Sequence, residues 1–187
     1  MTAQPPLWLT LPALAWLAGA AYHDFQRREV PHLAWTGLPF AVAAVWRGLS
    51  GGPGGWALAG LAAGVLVISE RQHLPAVWAW RLIGVTPIIL GSLALASGPA
   101  YLFGAVCVVV FWLGFERRLW GGADAMAAIT LVLLWPDYRW LLCWGLVCLG
   151  FSLGVRITGR FRDWRSLGHL PGLPLLLAAT TVYLVVA

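Results

Sequence analysis

Long apolar runs, separated by short polar or Gly/Pro-rich segments, fill most of the chain. A helix needs about 20 apolar residues to cross the hydrocarbon core of a bilayer, with a range of roughly 17–25. Against that length, the runs predict an all-α membrane bundle of about eight transmembrane helices. The second, third and sixth runs are short, so they extend into loops or one of them is re-entrant and packed inside protein. The predicted helices cover residues 7–23, 33–46, 56–69, 74–97, 99–115, 125–136, 140–155 and 170–187.

The composition also indicates a membrane protein. Of the 187 residues, 60% are hydrophobic and only 10% are charged. A soluble domain is usually about 25% charged, because its surface faces water. No long polar stretch divides the chain. We therefore expect residues 1–187 to form a single transmembrane domain in contact with membrane lipid.

Arginines cluster in alternate loops between the apolar runs. Because Arg-rich loops stay in the cytoplasm, the pattern predicts an outside N-terminus, with Arg47 and Arg139 in outer loops. The net charge of +5 thus reflects topology instead of a nucleic-acid surface, and no nucleic-acid partner is expected. The predicted inner loops carry Arg27, Arg28, Arg71, Arg117, Arg118, Arg156, Arg160, Arg162 and Arg165.

Asp24 and Asp124 differ from the other acidic residues because each lies at the predicted inner end of a helix. Ionisable groups at such positions are costly unless paired or hydrated, which makes them functional candidates. If packing brings these two together, they can share one proton, so that one activates water and the other protonates a carbonyl. Alternatively, each caps a helix or pairs with an Arg. Asp137 lies in an outer turn, where we expect it to cap its own backbone.

The segments around both aspartates resemble motifs of the type IV prepilin peptidases. The run from Asp24 to Pro31 resembles their first motif, an Asp, a basic stretch, then an aliphatic residue and Pro seven positions on. The run Gly121-Gly122-Ala123-Asp124 resembles their second motif, Gly-x-Gly-Asp, with Ala123 in place of the second Gly. Intramembrane aspartyl proteases such as presenilin share this motif. Pro171 and Pro174 are similar to the family's closing Pro-x-x-Pro segment.

This resemblance implies an aspartic endopeptidase of the plasma membrane, with its active site on the cytoplasmic side. Its substrates would be type IV pilin-like or archaellin-like precursors, from which it would remove a short basic leader without a metal or another cofactor. No segment corresponds to the cysteine-rich loop linked to N-methylation in larger members, so methyltransferase activity is not expected. Glu29, Glu70 and Glu116 are candidates for receiving the basic leader, unless each only pairs with its adjacent Arg.

Two other classes of function stay open at this point. A zinc site is one, because four histidines fall on the same predicted side as the aspartates, although no His-Glu-x-x-His spacing occurs. These histidines are His23, His32, His73 and His169. A non-catalytic membrane scaffold or transporter is the other, in which the two aspartates line a polar path.

Overall fold

A computed structural model describes residues 4–27, 36–69, 88, 91–93, 95–117, 121–157 and 172–186. No strand occurs in these ranges, and this confirms the all-α prediction. Residues 88, 91–93 and 95–96 are helical, whereas most of the predicted helix 74–97 lies outside the described residues. The helices described in full are α1 (Leu7–Arg27), α2 (Leu38–Ser69), α3 (Pro99–Glu116), α4 (Gly122–Leu134), α5 (Tyr138–Ile157) and α6 (Gly172–Val186).

Helix boundaries matter most at the two candidate aspartates. Helix α1 continues about one turn beyond its predicted end at residue 23, so Asp24 lies in its last turn. Helix α4 begins three residues before its predicted start, so Asp124 lies in its first turn. Helices α3, α5 and α6 agree with their predicted bounds within two residues. Both aspartates therefore occupy helix ends, as the apolar pattern predicted.

Helix α2 contains a sharp reversal at Gly52, where φ is 56° and ψ is −144°. Gly55 lies so close to the carbonyl oxygen of Arg47 that no Cβ would fit between them. Residues eight apart in a straight helix are about 12 Å apart, so this contact requires the chain to fold back. Helix α2 thus consists of a first arm (residues 38–51) and a second arm (residues 53–69). Two helices were predicted here correctly, but the loop predicted between them is helical on both sides of Gly52.

Arg47 is fully buried in the first arm of α2. Its Nε and one terminal nitrogen donate hydrogen bonds to the carbonyl oxygens of Leu133 and Leu134, both at 2.5 Å. The last carbonyls of a helix have no partner within it, and a cation there also complements the helix dipole. The prediction that Arg47 lies in an outer loop is therefore wrong. Its charge is used for packing, because it closes the C-terminal end of α4.

Helix α4 is the centre of the bundle. Residues 125–134 are all buried, and α4 packs against α2, α3 and α6. A helix that is apolar on every face is typical of one surrounded by protein. Helix α6 also packs against α1 and α5, so the first and last helices of the chain are neighbours.

Rows of exposed aliphatic side chains cover the outside of the bundle. Within each row the residues are three or four apart, which places them on one face of their helix, and soluble monomers rarely expose apolar patches of this extent. By length and composition, Leu38–Ile68 and Pro99–Glu116 could cross a membrane, although the first is folded at Gly52. These observations agree with membrane association, while eight crossings remain a prediction. The rows are Leu38, Val42, Val45 and Leu49 on α2, and Leu142, Leu146, Leu149 and Leu153 on α5.

Candidate aspartyl site

Asp124 is held at the start of α4 by the backbone of its own helix. Gly121 is the residue before the first turn, with extended φ and ψ of −67° and 156°, and no side chain caps this terminus. The Asp124 carboxylate accepts a hydrogen bond from the N–H of Gly121. This is the reach-back half of a capping box, in which the third helical residue satisfies the N–H of the capping residue. Capping is therefore one real role of Asp124.

The start of α6 contributes a second contact to the same carboxylate. The backbone N–H of Leu173 donates a hydrogen bond to Asp124. Gly172 lies against this carboxylate, and a Cβ at that position would come within 2.6 Å of Oδ2. Only glycine permits so close an approach, because any other residue would displace the carboxylate. Asp124 thus joins the N-terminal ends of α4 and α6.

Asp24 approaches Asp124 from α1. Leu17, Ala20 and Ala21 are buried, and they precede Asp24 by seven, four and three residues. Since residues at these spacings share a helix face, Asp24 is on the side of α1 that faces the core. Its negative charge acts on Asp124 strongly enough to raise the pKa of that carboxyl group. The packing therefore brings together two acids that are far apart in sequence.

The balance of these contacts gives Asp124 an unusual acidity. Asp124 precedes the predicted membrane span of residues 125–136. Burial, followed by the charge of Asp24, raises its pKa from 3.8 to about 6, while the N–H groups of Gly121 and Leu173 oppose the rise. A carboxyl group with this pKa can gain or lose a proton near neutral pH. The pair can thus hold a single proton between them, as paired carboxyls in other aspartyl sites do.

The other residues of the second motif have structural positions that suit this arrangement. Gly122 is the first residue of α4, and Ala123 is half-buried against the apolar core. Glu116 is the last residue of α3 and is half-buried. Because Gly104 of α3 faces Pro136, just beyond the C-terminal end of α4, the two helices are antiparallel. Glu116 is therefore at the same end of the bundle as Asp124.

Pro174 lies in the first turn of α6 and is half-buried. Gly172 and Leu173, its neighbours, contact Asp124 but were not singled out from the sequence. A glycine between two prolines at the start of an apolar run is the local signal that marks them, because it indicates a tight approach at a helix N-terminus. Four other predicted site residues lie outside the described residues, namely Glu29, Pro31, Glu70 and Pro171.

Within the described ranges, no three side chains of His, Cys, Asp or Glu gather as a metal site would require. Of the four histidines, His23 is described, and it directly precedes Asp24 in α1. Comparison of the chain with protein-family models, with curated proteins and with solved structures found no match. The functional argument therefore depends on the site itself and on the motif resemblance.

Proposed function

We propose that this chain is a membrane aspartyl endopeptidase in which Asp24 and Asp124 are the catalytic residues. The observation that carries the proposal is the mutual approach of these two carboxyl groups at partly buried helix ends. Two neighbouring carboxyls that share a proton form an acid and a base in one site. A pKa of about 6 for Asp124 suits proton transfer near neutral pH.

In the proposed reaction, one carboxylate removes a proton from water while the water oxygen bonds to the peptide carbonyl carbon. The other carboxyl group gives its proton to the carbonyl oxygen, which yields a diol. The first group then returns its proton to the amide nitrogen, the second removes a proton from the diol, and the C–N bond breaks. The proton inventory is restored at the end, so the cycle needs no cofactor.

The motif resemblance supports a specific substrate class, the basic leaders of type IV pilin-like or archaellin-like precursors. Cleavage would take place at the cytoplasmic face of the plasma membrane, and the exposed apolar rows of the bundle support a lipid surround. Among the described residues, Glu116 is the acidic side chain best placed to attract a basic leader, because it closes α3 at the same end as Asp124. Unchanged processing after charge reversal of Glu116 would remove this residue from the proposal.

The test compares Asp24→Asn and Asp124→Asn with Asp137→Asn in isolated membranes that contain a pilin precursor. Asn keeps the shape of Asp but cannot exchange a proton, so each of the first two variants should lose about 10³-fold or more of the cleavage rate. Asp137 is a matched control, because it belongs to a turn in which its Oδ1 accepts the N–H of Arg139 at 3.0 Å. Thermal unfolding of all three variants separates lost chemistry from lost structure.

Full processing by both Asp24→Asn and Asp124→Asn would contradict the proposal. The scaffold or transporter alternative would then take its place, since acids that line a polar path need not transfer protons to a peptide.

A further inference from the structure

The two carboxyl groups lie at opposite kinds of helix end. Asp124 is in the first turn of α4 and also meets the N-terminal end of α6. Free N–H groups and the positive end of the helix dipole favour an anion at such positions. Asp24 is in the last turn of α1, where carbonyl oxygens and the negative end of the dipole disfavour one. The fold therefore treats the two members of the pair differently.

The donor from α6 is the more specific part of this asymmetry. The N–H of Gly121 comes from the helix that contains Asp124, whereas the N–H of Leu173 comes from a different helix. Gly172 allows that approach, because a Cβ there would meet the carboxylate. Pro174, the next residue, has no N–H to offer. Leu173 is thus the residue through which α6 stabilises the ionised form of Asp124.

We infer that Asp124 is the base that takes the proton from water, that Asp24 is the acid that protonates the carbonyl oxygen, and that the backbone N–H of Leu173 is the positioning group that sets this division. The assignment rests on the proposed function and adds to it an order of proton transfer. At the start of each cycle the proton is on Asp24 and Asp124 is ionised. At the end Asp124 has passed its proton to the amine product, and Asp24 has recovered one from the diol.

Other titratable groups on the helices around α4 do not disturb this assignment. Arg47 on α2 and Tyr183 on α6 lie at the opposite end of α4, where they bind Leu133, Leu134 and Asp137. In the described part of the chain, Asp24 is the charged side chain whose field acts on Asp124. The other titratable groups at this end are Glu116 of α3 and His23 of α1.

The experiment measures the pH dependence of kcat/KM for Leu173→Pro and Leu173→Ala, with a detergent-solubilised pilin precursor as the probe. Both variants lose the buried leucine side chain, but only Pro also removes the N–H, and the first turn of a helix tolerates Pro. A lost hydrogen bond to a carboxylate raises its pKa by about one unit. If Asp124 is the base, the acid limb of the Pro profile should move up by about one pH unit relative to Ala, with the alkaline limb unchanged.

Two results would overturn the inference. A shift of the alkaline limb would make Asp124 the acid, and identical profiles for Pro and Ala would show that the N–H has no such role. Should Leu173→Pro fail to fold, replacement of the Leu173 amide by an ester removes the same N–H and keeps the side chain. Failure of the proposed function is distinguishable, because it appears as full cleavage by Asp24→Asn and Asp124→Asn, before any pH profile is measured.

Discussion

At the C-terminal end of α4, the guanidinium of Arg47 donates to the carbonyls of Leu133 and Leu134, whereas at the N-terminal end two carboxyl groups of like charge face each other. Beyond the C-terminal end, Asp137 accepts hydrogen bonds from the N–H of Arg139 and the hydroxyl of Tyr183. Each polar group there meets its complement, so that end stabilises the bundle. The aspartyl end retains an electrostatic cost, which is typical of sites where a fold keeps groups reactive.

The largest effect on stability is expected at the complementary end. Arg47→Met keeps an apolar stem of similar length but leaves two buried carbonyls without a donor, which should cost about 2–5 kcal/mol of unfolding free energy. Chemical unfolding in detergent measures this loss. Arg139→Met is the matched control, because Arg139 is exposed at the same end and should lose almost nothing. Equal losses for both arginines would contradict the role given to Arg47.

The aspartyl end should respond to charge removal in the opposite sense. The folded state raises the pKa of Asp124 from 3.8 to about 6, so it binds more protons than the unfolded chain between these pH values. Stability should therefore fall as pH rises through this window, by about 3 kcal/mol at most. Asp124→Asn abolishes this dependence, and its Tm should exceed that of the parent at pH 7.5 but match it near pH 4. A lower Tm at pH 7.5 would show that the carboxylate stabilises the fold.

The smallest of the three effects, in free energy, concerns the approach of α6 to Asp124. Gly172→Ala should displace the carboxylate, since the added Cβ would meet it within 2.6 Å. A misplacement of about 1 Å in a catalytic group costs on the order of 10²-fold in rate. Precursor cleavage measures the loss, and Gly150→Ala serves as the control because nothing lies within 4 Å of a Cβ there. Normal cleavage by Gly172→Ala would separate α6 from the site.

The contrast between the two ends also explains what the sequence could predict. The aspartates were found because local motifs surround them and because apolar runs end beside them. Arg47 was assigned to an outer loop, since its partners Leu133 and Leu134 are more than eighty residues away and leave no local trace. For the same reason Gly172 and Leu173 were missed. Their role depends on how α6 packs against α4, which no pattern within either segment encodes.

The turn at Gly52 was only partly predictable. A cluster of glycines and a proline around it indicated a break between two helices, and that break exists. Its shortness did not follow from the cluster, because a loop of several residues would use the same amino acids. A single residue with positive φ suffices here, since the arms meet at Gly55 and Arg47, where the absent Cβ lets the backbones touch.

The place of α6 beside α1 and α4 has a consequence for biosynthesis. Pairing between the arms of α2 is local and can form early, whereas contacts between distant parts of a chain form slowly and late. A nascent chain that has emerged only as far as α5 already holds Asp24 and Asp124, but not the N–H of Leu173. Competence to cut would therefore arrive with the last helix to be synthesised, and an unfinished protein would leave its neighbours in the membrane intact.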